Sequence, residues 1–220
     1  MTTSAAVSTR NVNRLLAGFV LAVALGHHVG VLFEFLGEVG TTRWADWIDL
    51  GVPYAVVGLA GVLLATTNAA RTPWVVLALG AIVYTQGHGI HLAANSIGNA
   101  APGDPAHLWD EVVGHYVWYG GLAVVVGGLV LGVERRPAPT SLWWIPFAIL
   151  FGFTILTNSI EGGTPVLGIG TALVFIAWGL RRRKRIAWLL VPSYGVALAG
   201  LIGWGVYWGG FPQFSELGWF

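Results

Sequence analysis

The run Thr85-Gln86-Gly87-His88-Gly89-Ile90-His91-Leu92-Ala93-Ala94-Asn95 carries two imidazoles three residues apart, with an amide four further on. On a helix, His88, His91 and Asn95 share one stripe, so the two rings can face a common ion. Gly87 and Gly89 beside them permit close approach by a neighbouring helix. A second run places His107, Glu111 and His115 at four-residue intervals, again a single stripe. A carboxylate one turn from a histidine can act as co-ligand, as orienter of the ring, or as general base. A third stripe holds His27, Gly30, Glu34 and Glu38. His28 is rotated about 100° from His27, toward Leu32 and Phe35.

These residue types suit a divalent transition metal, zinc before iron or copper. The metal ligands expected are His27, His28, His88, His91 and His115, with Glu111 as the catalytic base. Glu34, Gln86, Asn95, Asp110, Asn158 and Glu161 are expected to line the pocket or support those ligands. Thr154, Asn158 and Glu161 form a further stripe. His107, Glu38, Asp46, Asp49 and Asp104 read as solvated groups at helix ends and in loops.

The elements that must position these groups are membrane helices. Of 220 residues, 55% are hydrophobic and 10% charged, where a soluble domain carries roughly 25% charged residues. Seven apolar runs are long enough to span: Leu15–Leu36, Trp47–Thr67, Trp74–Ile97, Trp109–Val133, Leu142–Asn158, Val166–Leu180 and Ile186–Trp208. Unbroken apolar runs argue against a barrel, which alternates. The expectation is an all-α bundle of seven transmembrane helices over residues 15–208. A polar cytoplasmic segment, 1–14, precedes it and an outer interfacial tail, 209–220, follows.

With seven spans, ten of the eleven Lys and Arg residues share one side, Arg43 excepted. Basic residues mark the cytoplasmic side, so the N-terminus is expected inside and the C-terminus outside. All six histidines and nine of the ten carboxylates, Glu134 excepted, then fall toward the outer side. Using a rise of about 1.5 Å per residue, His27, His88 and His115 lie roughly 9–14 Å below the outer helix ends. Ionisable groups at that depth are costly and mark function. A signal peptide ending near Ala24 is a rival reading of the start, against which the apolar run continues to Leu36.

The favoured activity is a metal-dependent membrane hydrolase acting on an amphiphile entering from the outer leaflet, ahead of an oxidase. A proton-coupled transporter or a non-catalytic ligand-binding protein is the alternative, although the inner halves of the spans are almost wholly apolar. Haem held by facing histidines ranks lower, because the inner face has no histidine for a second site. The absence of Cys excludes thiolate ligation, and a net charge of +1 gives no reason to expect nucleic acid.

Seven helices, an N-in orientation and a His/Asp metal site resemble in outline the seven-span hydrolase group of alkaline ceramidases and progestin/adiponectin-type receptors. The chain departs from that group's motif. It has no His-x-x-x-His near its last span, and its sixth and seventh spans lack histidine. No residue role is carried over.

Overall fold

The computed structural model describes residues 9–137 and 142–219; the first eight residues of the expected polar N-terminal segment lie outside them. Among the described residues the chain is helical apart from a small hairpin and an isolated bridge between Pro137 and Arg185. Helix α1 runs Thr9–Gly26 and is followed by a short α2, Val29–Leu32, and a single 3₁₀ turn, Glu34–Leu36. The hairpin pairs β1, Glu38–Val39, with β2, Thr42–Arg43, and feeds directly into α3, Trp44–Asp49. Then come α4 (Val52–Thr66), α5 (Arg71–Ala100), α6 (Asp104–His107), a π-helical stretch (Leu108–Gly114) and α7 (His115–Val133). Helices α8 (Trp144–Glu161), α9 (Pro165–Arg181) and α10 (Leu190–Trp208) complete the bundle.

Among the described residues, five helical segments are long and apolar enough to cross a bilayer: Trp44–Thr66, Arg71–Ala100, Asp104–Val133, Trp144–Glu161 and Ile186–Trp208. Helix α9 is a shorter apolar helix. At 17 residues it reaches roughly 25 Å, against about 30 Å of hydrocarbon.

The expected first span, Leu15–Leu36, is not one helix. Its helix stops at Gly26, and His27 and His28 occupy the turn before α2. The stop has a local cause. The Ala24 carbonyl, which would accept from the His28 amide in a continuing helix, accepts instead from the His28 ring Nδ1 at 2.7 Å. The His28 amide turns to Leu25 at 3.2 Å. A polar side chain has replaced the backbone donor of the ladder. Gly26 has no side chain to obstruct Val52, whose Cγ1 would lie 2.4 Å from an added Cβ. The stripe from His27 to Glu38 therefore does not exist as a helix face.

Helices α5 and α7 form the spine that carries His88, His91 and His115. Gly80 and Gly87 on α5 are seven residues apart, and so are Gly114, Gly121 and Gly128 at the start of and along α7. Each sits where the partner backbone passes. A Cβ at Gly87 would lie 2.1 Å from the Trp118 amide nitrogen, and one at Gly121 would lie 2.2 Å from that of Tyr84. Small residues at such spacing let two helices approach along their length. The seam fixes the register of His88 and His91 against His115 and Trp118.

Element order places the ends of α1, α5 and α8 beside the starts of α3 and α7 at one end of the bundle. The opposite end has its own closure. Glu134, buried after α7, accepts from Trp178 Nε1 at 2.8 Å and from Arg182 Nε at 3.2 Å. Arg185 donates to the Arg135 carbonyl at 2.8 Å. Burial alone would raise the Glu134 carboxyl, but the Trp178 and Arg182 hydrogen bonds and the nearby guanidiniums outweigh it. The group is held below the usual carboxylate range.

Candidate metal site at the polar end of the bundle

His91 from α5, Asp110 from the π-helical stretch and His115 from α7 each offer a ligand atom, all within 4.8 Å of one another. His91 Nδ1 and Asp110 Oδ1 approach to 2.5 Å, and the two imidazole centroids are 4.5 Å apart. The π-helical stretch accounts for the presence of Asp110. Seven residues wound more widely than an α-helix turn Asp110 inward beside Gly114, where it is only 8% exposed, while His107 remains exposed. π-Helical insertions frequently accompany functional sites. The regular stripe of His107, Glu111 and His115 is broken by this winding.

Two imidazoles and a carboxylate are a donor set that suits zinc, iron or copper. An ion with bonds of about 2.1 Å holds tetrahedral donors about 3.4 Å apart. The three ligand atoms here lie within 4.8 Å of one another and would draw closer around one. His115 Nδ1 donates to the Glu111 carbonyl at 3.2 Å and lies 3.5 Å from the Glu111 carboxylate, which leaves Nε2 for an ion.

The other residues expected at the site fall in distinct places. His88 is 2% exposed and bonds through Nε2 to Asp49 Oδ1 at 3.0 Å, behind the three-donor group. His27 Nε2 shares a hydrogen with the Tyr84 hydroxyl at 3.0 Å, and its Nδ1 is buried with no hydrogen-bond partner. His28 has both ring nitrogens engaged. The Ala24 carbonyl can only accept, so Nδ1 carries the hydrogen, and Nε2 meets the Thr157 hydroxyl at 3.0 Å. Trp118 sits among the imidazoles, stacked on His91 at 4.9 Å and edge-on to His27 and His88 at 4.9 and 4.8 Å. Gln86 is exposed on α5 and lies apart from the group.

A cavity of about 510 Å³ opens over the three donors. Glu34, Asn95, Asn158 and Glu161 line it, as do His27, His28 and Glu111. The chain's own tail closes part of the mouth. Gln213 Nε2 donates to Glu111 Oε2 at 3.1 Å and to the Glu161 carbonyl. The Phe214 amide donates to Glu161 Oε2 at 2.8 Å.

Three contributors were not legible beforehand. Asp49 reads in sequence as a solvated helix-end charge, yet it is the partner of a buried histidine 39 residues away. Asp46 is also buried, held by Arg43 at 2.8 Å. Gln213 lies in a tail with no periodicity at all. Helical spacing carries no information about pairs that meet only across elements.

Compared with known proteins, the chain matches no family model, no curated protein and no solved structure.

Proposed function

We propose that this chain is a membrane protein of seven transmembrane helices that binds a divalent transition ion through His91, Asp110 and His115 and hydrolyses an amphiphilic substrate. In this reading the N-terminus is cytoplasmic, the C-terminus is outside, and the cavity opens to the outer leaflet. Helices α1 and α9 join the five longer segments as spans. Arg10 and Arg14 at the start of α1 reach back to the headgroups, as long basic side chains do, and the excess of basic residues at that end supports the orientation.

The observation that carries the reading is the meeting of three donors from three segments beneath a cavity large enough for a small ligand. Bound zinc lowers the pKa of a coordinated water toward neutrality. Glu111, next to His115 and steadied by Gln213, is placed to take a proton there. Asp110 fixes the orientation of the His91 ring.

Elemental analysis of protein purified in mild detergent tests the metal. Near-stoichiometric zinc, iron or copper in the wild type, lost in His115→Ala and Asp110→Ala, is expected. Well-folded wild type that stays metal-free after supplementation refutes it. Release of fatty acid from dispersed lipid esters or amides, abolished in Glu111→Gln with metal retained, tests the hydrolytic step.

A further inference from the structure

The cavity carries more negative charge than a metal ion can answer. Glu34, Asp46, Asp49, Asp110, Glu111 and Glu161 line it, against the single guanidinium of Arg43. Five formal negative charges remain after that pairing, and three remain once a divalent ion joins the three-donor group. The surplus is localised. Asp46 is answered by Arg43, while Asp49 and Asp110 each lie against a histidine ring, His88 and His91, that carries charge only when protonated. Among the described residues the Glu161 carboxylate accepts from neutral donors, the Phe214 and Ser215 amides. Glu111 accepts from the neutral amide of Gln213 and lies 3.5 Å from His115. Glu34 stands at the mouth, exposed.

A second feature points to a ligand independently of the charge. His27 lines the cavity, is 8% exposed, and keeps Nδ1 buried without a hydrogen-bond partner. A buried polar atom without a partner costs free energy and is explained when a ligand supplies the missing bond. In the tautomer in which the Tyr84 hydroxyl accepts from Nε2–H, Nδ1 presents a lone pair and takes a hydrogen from a donor. Tyr119, Phe153 and Phe214 add aromatic surface to the same lining, and aromatic faces attract cations.

We propose that the cavity binds a primary alkylammonium group, with Glu111, Glu161 and Glu34 supplying its counter-charge, His27 Nδ1 accepting one N–H, and the aromatic rings flanking its alkyl stem. This deepens the reading of the cavity as a ligand site by naming the ligand's charge, and it does not depend on hydrolysis. A cationic amphiphile would then enter with its ammonium head in the cavity and its chain toward lipid.

Calorimetric titration of the purified protein with n-butylammonium chloride tests this, with 1-butanol as the uncharged counterpart and tetramethylammonium as a cation without N–H. Saturable binding of butylammonium, at least roughly tenfold tighter than tetramethylammonium or butanol, is expected. Glu111→Gln should weaken it roughly tenfold, and Glu34→Gln, at the exposed mouth, roughly twofold. Equal binding of butanol, or butylammonium affinity unchanged in both variants, overturns the proposal. Should Glu111→Gln fail to fold, the wild-type comparison and Glu34→Gln decide. His115→Ala separates the two readings. Metal lost with butylammonium binding kept leaves this inference standing by itself. Metal kept in the wild type without butylammonium binding removes this inference and leaves the metal site.

Discussion

Adding one methyl group at Gly121 should open the spine that aligns the three proposed metal donors. A Cβ there would lie 2.2 Å from the Tyr84 amide nitrogen, whereas ordinary contact begins at 3.4 Å. The difference, 1.2 Å, must come from separating α5 and α7, because the obstacle is backbone and has no rotamer to adopt. Overpacking a tight interior costs about 1–3 kcal/mol. The metal is the more sensitive reporter, since ligand distances tolerate only about 0.2 Å. Gly121→Ala should therefore lower the unfolding temperature in detergent and strip bound metal, though residue 121 touches no ligand. The adjacent Gly120 has nothing within 4 Å of an added Cβ. Gly120→Ala should be neutral or slightly stabilising, since alanine favours a helix over glycine by roughly 0.5–1 kcal/mol. Thermal unfolding and metal content of the two variants, side by side, are the assay. Equal stability and equal metal content would refute the claim that the glycine seam sets the site.

Asp110→Ala removes a donor and orienting partner of His91, and metal affinity should fall roughly 10–100-fold, measured by competition with a chelator. An unchanged affinity would remove Asp110 from the site. Asp49→Ala leaves the His88 Nε2 buried without a partner, costing about 1–3 kcal/mol in thermal unfolding; Asp104→Ala, in an exposed position, is its control, and equal stabilities would contradict the pairing. At the far end of the bundle, the carboxyl of Glu134 is depressed in the folded protein. Its contribution to stability is complete above the unfolded carboxyl pKa of about 4.3 and is lost as pH falls through the lower folded value. Acidifying from pH 6 toward pH 3 should therefore narrow the stability gap between wild type and Glu134→Gln. A gap that widens on acidification would show that the Trp178 and Arg182 contacts do not favour the charged form.

Long apolar runs are visible in composition because a bilayer demands about 20 apolar residues per span and offers no alternative partner for the backbone. The helical class and the placing of His88 and His91 on one helix were thus legible from spacing alone. So was the concentration of imidazoles and carboxylates toward particular helix ends. The break after Gly26 was not legible, because the apolar run continues through it; a ring nitrogen claiming one carbonyl ended the helix. Nor was the π-helical winding, which exchanges a regular stripe for an inward Asp110.

The partners Asp49 with His88 and Gln213 with Glu111 lie 39 and 102 residues apart in the chain. By itself the amino-acid sequence determined which side chains are available and which helix faces carry them, since both follow from local spacing and the demands of lipid. Tertiary structure alone decided which of them meet. Meeting depends on how closely backbones approach, and here that distance is set by glycines whose effect appears only when two helices are placed against each other.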